Sequence, residues 1–431
     1  MTDGEKTAQP VQDADRIASL DVLRGFALLG ILLLNVLGFG LASAAYSNPA
    51  VDLRDAGPAD VAVWATVELL AEGSMRCLFS ILFGAGVVLF ATGARAKSGV
   101  LHYRRTFWLL CFGLFDAYVL LWPGDILVTY AVAGAFLYLL RNVRPSRLAG
   151  LAAVLLLVLS LFYGGFRWGM GFSAAAAQEV ATRNADELPQ GTLAAAQGWE
   201  DFRKDFDPPA ESIEAELVER RASYRSAAEW NEGKATEMIV FIMPFFLLWD
   251  ALVMMLLGMA LFKWGVLQGK ISQRTCWWLV GGGFAVGLAV NAFEVSGALR
   301  SNFDLFSVFA QMQPTYHFGR LGVALGYLGL ILLWVRTDAL AGLQRRLASV
   351  GRMALTNYLL HSLCALFLFT GAGLGLVGEL SRAQLYPIVL GIWIVQLLGS
   401  DLWLRRFRFG PVEWFWRFLT YGKAPAMRRL P

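Results

Sequence analysis

Carboxylates, arginines and a histidine recur inside stretches of this chain that are otherwise apolar enough to cross a bilayer. Asn35 ends the first such stretch, Arg76 begins the second, Asp116 lies late in the third and Asp125 opens the fourth after Trp122-Pro123-Gly124. Asn291 and Glu294 end the seventh, and His317 and Arg320 repeat the same i,i+3 spacing at the head of the eighth, so each pair shares a helix face. These types suit general acid/base work on an acceptor hydroxyl. His317 starts with the pKa nearest neutrality, Asp116, Asp125 and Glu294 supply carboxylates, and Arg76 or Arg320 supplies a cation for an oxyanion. The same residues also suit plain ion pairing, in which Arg76 or Arg320 neutralises Asp116, Asp125 or Glu294.

A second group sits at the opposite depth. Asp21, Arg24, Leu28 and Asn35 follow at steps of three, four and seven, within one arc of the first helix. Arg352, Thr356 and Asn357 begin the ninth span. Arg24 and Arg352, joined by Asn357, match the requirements of a phosphate-bearing donor arriving from the cytosol. An Asp21–Arg24 ion pair and an Arg352 that snorkels to lipid phosphate are the structural alternative. Asp250, His361 and Asp401 lie deeper in the sixth, ninth and tenth spans, and His361 shares the Asn357 face.

The elements that must hold these groups are membrane helices. Of 431 residues 57% are hydrophobic and 16% charged, with a mean hydropathy of +0.53, which places the chain outside ordinary soluble domains. Near the roughly 20 apolar residues a span requires are Leu20 to Leu41, Met75 to Gly93, Phe107 to Trp122, Ile126 to Leu140 and Leu148 to Trp168. A second set comprises Met238 to Phe262, Trp277 to Val295, Phe318 to Val335, Ala354 to Leu374 and Leu385 to Leu404. The expected fold is therefore an all-α, polytopic helical membrane bundle of about ten transmembrane helices.

Lys and Arg concentrate in alternate loops: Arg95, Lys97, Arg104 and Arg105; Arg141, Arg144 and Arg147; Lys263, Lys270 and Arg274; Arg336, Arg345 and Arg346. The positive-inside rule then puts both termini in the cytoplasm and accounts for the net charge of +4, so nucleic acid is not an expected partner. The expected organisation is a disordered cytoplasmic arm over 1–16, five spans over 17–168, an extracytoplasmic polar segment over 169–236, five spans over 237–405 and a basic tail over 406–431. Within the polar segment, Pro209 to Glu237 reads as a helix with an acidic first turn, either a surface helix over the outer mouth or a substrate lid. Gly84 with Gly86, Gly281 to Gly283 with Gly287, and Gly322 with Gly326 read as packing faces. The arm lacks the apolar core of a signal peptide, so the first span serves as anchor. Cys77, Cys111, Cys276 and Cys364 fall one per helix with no C-x-x-C spacing, so no metal site or disulfide framework is expected.

Several runs together resemble the YeiB-like membrane family, domain of unknown function 418. They are Arg16-Ile-Ala-Ser-Leu-Asp-Val-Leu-Arg-Gly-Phe-Ala-Leu-Leu-Gly-Ile-Leu, Leu78-Phe-Ser-Ile-Leu-Phe-Gly-Ala-Gly, Gly124-Asp-Ile-Leu with Tyr130-Ala, Gly351-Arg-Met-Ala-Leu-Thr-Asn-Tyr and Gly410-Pro-Val-Glu-Trp-Phe-Trp-Arg-Phe-Leu-Thr-Tyr-Gly. The first-span pattern also resembles the wider transmembrane acyltransferase superfamily, which includes the lysosomal heparan glucosamine N-acetyltransferase type. That resemblance implies an acyl group taken from cytosolic acyl-CoA and delivered across the membrane, with Asp21 and Arg24 on the donor side or in the shared fold. YeiB-like sequences commonly carry a His where Gly113-Leu-Phe-Asp116 has Asp, which leaves the proton-transfer role to Asp116, to His317 or to neither.

The expected function is an acyltransferase-like protein of a bacterial inner membrane. Acyl-CoA would be co-substrate, an envelope glycan or lipid the acceptor, membrane lipid the surroundings, and no cofactor would be tightly bound. The rival classes are a secondary transporter for a small envelope metabolite, whose buried charges relay protons, and a non-catalytic membrane scaffold.

Overall fold

The computed structural model describes residues 17–92 and 98–429. The arm over 1–16 and the loop residues Arg95 and Lys97 lie outside them. Among the described residues the secondary structure is helical, with one isolated antiparallel bridge between Phe407 and Arg428.

The chain opens with α1 (Ala18–Gly40), α2 (Ala50–Leu53), α3 (Pro58–Leu70), α4 (Ser74–Ala91), α5 (Gly99–Tyr118) and α6 (Leu127–Leu137). Next come α7 (Pro145–Thr182), α8 (Gln190–Phe206), α9 (Ala210–Ala222) and α10 (Tyr224–Glu237). A wide π-helical stretch, Met238–Leu247, then leads into α11 (Leu248–Lys263). The remainder is α12 (Gln273–Arg300), α13 (Leu305–Trp334), α14 (Ala341–Arg352), α15 (Ala354–Phe369), α16 (Arg382–Arg406) and α17 (Pro411–Tyr421).

Each of the ten expected spans is helical over most of its described length; the third and ninth run past the ends of α5 and α15, and the expected end of the second, Gly93, lies outside the described residues. Seven helical stretches among the described residues are long and apolar enough to cross a membrane, or eight if α14 and α15, bent by 81° at their junction, count as one. Two expected spans are weaker: α5 opens on the polar run His102, Tyr103, Arg104 and Arg105, and the apolar helix Leu127–Leu140 is short.

Glycine lets the central helices touch. A Cβ at Gly84 of α4 would overlap the Met255 carbonyl, and one at Gly258 of α11 the Ile81 carbonyl, so the two helices cross at backbone contact. Gly283 and Gly287 of α12 meet Gly322 of α13 in the same way. Gly86, Gly281 and Gly282 face nothing within 4 Å, so the expected packing faces use only part of their glycines.

The polar segment holds more helix than the sequence reading assigns. The fifth span continues through the helix-favouring Ala174 to Ala177 to the end of α7. The region read as one helix from Pro209 to Glu237 is broken at Ser223, which caps α10 by accepting from the Ser226 N–H. α9 lies over the C-terminal end of α1, where Arg220 donates to the carbonyls of Leu41 (2.8 Å), Phe39 (3.0 Å) and Gly38 (3.1 Å). Those acceptors are carbonyls that a helix terminus leaves open.

Opposite α9, the loops rich in Lys and Arg gather at one end. Lys263 donates to the carbonyls of Arg141 and Val143, and Arg336 to those of Gly269 and Ile271. This is termed the basic end.

Candidate functional site

Two cavities, each about 210 Å³, lie one behind the other inside the bundle. The first opens at the basic end. Its mouth carries Arg24 of α1, Arg105 of α5, Arg352 at the end of α14 and Arg417 of α17. Arg24 and Arg352 adjoin because Gly25 and Gly351 let α1 and α14 approach to backbone contact. Arg105 is held between the rings of Trp416 and Phe90, 4.4 and 5.1 Å from their centroids. Arg105 precedes the expected third span. Burial first, then the neighbouring guanidinium of Arg417, pushes its pKa below the usual arginine range.

Glu413 also lines this cavity, but its oxygens accept from the N–H groups of Leu355 and Thr356 and from the Thr356 hydroxyl, capping α15. His102 adds no positive charge: burial lowers its pKa to about 4, and Nε2 lies 3.0 Å from the Gly134 carbonyl oxygen. The mouth is thus cationic, while the walls behind it, Phe79, Leu82, Phe83 and Val87, are apolar.

The second cavity lies toward the C-terminal half of α1. Asn35, Glu72, Arg76, Ser80 and Asp250 supply its polar lining. Asp250 is delivered by the π-helical stretch, where Pro244 lacks an N–H for the regular ladder and the widened turns feed Met238, Ile242 and Leu247 into the wall. Asp250 Oδ2 lies 3.5 Å from Arg76 Nε, and Asp250 Oδ1 lies 3.2 Å from His317 Nδ1. Arg76 Nε and both ring nitrogens of His317 are buried with no hydrogen bond of good geometry among the described residues, so both contacts to Asp250 are close approaches of charged groups rather than aligned hydrogen bonds.

Behind Arg76 runs a continuous polar network. Arg76 donates to the Tyr316 hydroxyl (2.9 Å), which donates to Glu72 Oε1 (3.1 Å). Arg320, 2% exposed, divides its fork among three carboxylates: Glu72 (2.7 Å), Glu68 (2.8 Å) and Glu294. Thr315 donates to the other Glu294 oxygen at 2.7 Å. One cation among three acids, bonded through each edge of its guanidinium, is the planar geometry that lysine cannot reproduce.

The fold therefore brings Arg76, Glu294, His317 and Arg320 into one network and sets Asn35 on the wall of the same cavity. Asp250, not His317, is the member of their pair that faces the cavity; His317 stands behind it against the Tyr163 ring, centroids 5.1 Å apart. Asp116 and Asp125 form a separate group. Asp125 accepts from the Val128 N–H (2.8 Å) and the Tyr358 hydroxyl (3.2 Å) at the start of α6, with the buried Asp116 beside it. On the donor side, Arg24 and Arg352 share the first cavity. Asp21 lies 3.1 Å from Arg24, and Asn357 turns instead toward the Val350 carbonyl and the Ser400 hydroxyl.

Sequence reasoning passed over Glu68, Glu72 and Tyr316. The signal was available: Glu68 lies on α3, whose N1 is Pro58, and Glu72 follows four positions later in the turn just past the helix end, two carboxylates between apolar runs. Arg105 and Arg417 read in the sequence as loop and tail charge, whereas both line the first cavity.

An all-α bundle of apolar helices, enclosing a cationic cavity at one end and a buried arginine–carboxylate network toward the other, defines a polytopic membrane protein. The family model described as "Protein of unknown function (DUF418)" matches residues 261–423. "Uncharacterized protein YeiB" of Escherichia coli K12 is 31% identical over 427 residues, covering 96% of this chain and 99% of that protein. "Uncharacterized protein YxaH" of Bacillus subtilis 168 is 28% identical over 441 residues, covering 96% of each. The chain belongs to the YeiB-like DUF418 family of membrane proteins.

Proposed function

We propose that the protein is a bacterial inner-membrane acyltransferase that moves an acyl group from an acyl-CoA at the basic end to a hydroxyl or amine of an envelope glycan or lipid in the second cavity. The observation that carries this reading is Tyr130, which walls both cavities: a mouth carrying four arginines and a chamber lined by Arg76 and Asp250 share one side chain. The resemblance of the first span to the transmembrane acyltransferase superfamily supports the same reading.

In this account Arg24, Arg105, Arg352 and Arg417 hold the donor phosphates. Asp250 takes the acceptor proton as the acceptor oxygen or nitrogen bonds to the thioester carbonyl carbon. The Arg76 Nε–H, which makes no hydrogen bond among the described residues and lies 3.5 Å from Asp250 Oδ2, meets the oxyanion. Collapse breaks the C–S bond, and the CoA thiolate leaves with the proton that Asp250 carried. His317 orients Asp250, and the Glu72–Tyr316 chain holds Arg76.

The test is CoA release from acetyl-CoA by the purified protein in nanodiscs, supplied with envelope glycan and lipid fractions. Acceptor-dependent release is expected, lost by roughly 10²-fold or more in Asp250→Asn with acetyl-CoA binding retained, and lost together with binding in Arg352→Ala. The transporter reading draws on the same pair of cavities closed by one side chain. Proton-coupled uptake into vesicles that Asp250→Asn abolishes, with no CoA release from any fraction, would replace the acyltransferase reading.

A further inference from the structure

The run Leu82-Phe83-Gly84-Ala85-Gly86 reads in sequence as a packing motif, and the structure divides its two glycines. Gly84 is required by the α4–α11 crossing. Gly86 has nothing within 4 Å of where a Cβ would stand, and it lines the first cavity. It interrupts a wall made by Phe79, Leu82, Phe83, Val87 and Phe90, whose spacing puts all five on one face of α4. At the Phe90 end of that wall stands Arg105, and at the other end Tyr130 packs on Phe83 and Phe79, ring centroids 5.0 and 5.9 Å away. From Phe90 to Phe79 the wall runs about 16 Å along the helix axis.

A cavity with cations at its mouth and an aromatic interior fits a ligand with a phosphate-bearing head and an apolar tail. At about 210 Å³ it is smaller than the roughly 300–1,000 Å³ of sites that enclose a whole small molecule. It therefore takes one end of the ligand, and the arginines at the mouth leave the tail as the end that enters.

We propose that Gly86 is a specificity determinant: the gap it leaves in α4 admits the acyl chain of a phosphate-bearing amphiphile, and the closed end at Tyr130 limits the length of that chain. The assignment of the amphiphile as acyl donor rests on the acyltransferase reading, in which the Tyr130 ring has to swing aside before the thioester reaches Arg76 and Asp250; the tail site itself does not. A Cβ at Gly86 meets nothing within 4 Å, so Gly86→Leu has room at its root to extend into the gap, and it leaves Gly84 at the helix crossing unchanged.

The experiment measures binding to the purified full chain in nanodiscs for two ligand series. One is CoA, acetyl-CoA, hexanoyl-CoA and palmitoyl-CoA; the other is lysophosphatidic acids of matching chain length. Wild type is compared with Gly86→Ala, Gly86→Leu and the control Gly150→Leu, which also stands in open space but lines neither cavity. In wild type, hexanoyl-CoA is expected to bind more tightly than acetyl-CoA, each buried methylene adding affinity, with no further gain for palmitoyl-CoA. Gly86→Leu is expected to weaken hexanoyl-CoA about tenfold or more while CoA and acetyl-CoA stay within about twofold, with Gly86→Ala intermediate and Gly150→Leu unchanged. Wild-type affinity independent of chain length, equal effects of Gly86→Leu on every ligand, or no saturable binding in either series would overturn the inference. Chain-length-dependent binding lost in Gly86→Leu but without any acyl transfer would uphold the tail site and defeat the acyltransferase reading. The same pattern in the lysophosphatidic acids alone would identify the ligand as a lipid.

Discussion

The hydroxyl of Tyr130 lies 2.6 Å from that of Ser80, in the wall between the two cavities, and both side chains are buried. The bond joins α6 to α4 at the point where a path through the bundle would have to pass. The Tyr130 ring fills the space between the chambers, while its hydroxyl also reaches the Arg76 carbonyl at 3.4 Å.

Removing that ring should therefore merge the chambers. In a chain whose four native cysteines are replaced, Ser80→Cys is expected to resist a bulky, charged thiol reagent applied at the basic end. Adding Tyr130→Ala should make it reactive, and Tyr130→Phe should not, since the ring remains. Tyr130→Phe should instead lower thermal stability by roughly 1–3 kcal/mol, because Ser80 is left without its partner. Labelling that is indifferent to Tyr130→Ala would show that the wall lies elsewhere.

Arg320 is the keystone of the carboxylate network. Arg320→Leu leaves Glu68, Glu72 and Glu294 without their shared cation, at an expected cost of roughly 3–5 kcal/mol. Arg320→Lys is expected to recover only a small part, because an ammonium cannot serve three carboxylates arranged around a planar fork. Unfolding monitored by tryptophan fluorescence in detergent would measure both, and near-wild-type stability in Arg320→Lys would contradict the geometric argument.

Arg220 ties the α8–α10 segment to the membrane bundle. It donates to two α1 carbonyls and to that of Leu41 just beyond the helix, and lies 2.9 Å from Glu216, which in turn accepts from the Ser43 N–H and hydroxyl. Arg220→Met is expected to cost roughly 3 kcal/mol and to expose the connections around α9 to limited proteolysis. Glu216→Gln in the same chain should return part of that loss by removing the carboxylate left behind. Unchanged proteolysis would mean that α9 is held by other contacts.

His102 makes stability depend on pH in mild acid. Its folded pKa is lowered to about 4 by burial, with Arg105 and Arg141 opposing protonation and the Gly134 carbonyl favouring it. The unfolded chain takes up a proton near pH 6.5. Between these values the unfolded state binds more protons, so this group's contribution to stability falls as pH drops from about 6.5 to about 4. In His102→Gln the decline in melting temperature across that window is expected to be shallower. A slope identical to wild type would assign the acid sensitivity to other groups.

Sequence alone determined that this is a membrane protein with charged groups buried in it, because span length and the occurrence of Asp, Glu, His and Arg within a span are local properties that a twenty-residue window contains. Its grouping was met in part: Arg24 and Arg352 line one cavity, and Arg76, His317 and Arg320 gather together, but Asp116 and Asp125 stand apart from them and Asp250 joins them. It did not supply their partners. Arg320 binds Glu68 and Glu72 about 250 positions away in the chain. Asp250 rather than His317 reaches the cavity, and of two glycines separated by a single residue one touches a helix and the other a void. These are matters of azimuth and of which helix stands beside which. They are fixed by backbone contacts such as Gly84 on Met255 and Gly25 on Leu347, and a hydropathy profile, having depth as its only coordinate, carries no record of them.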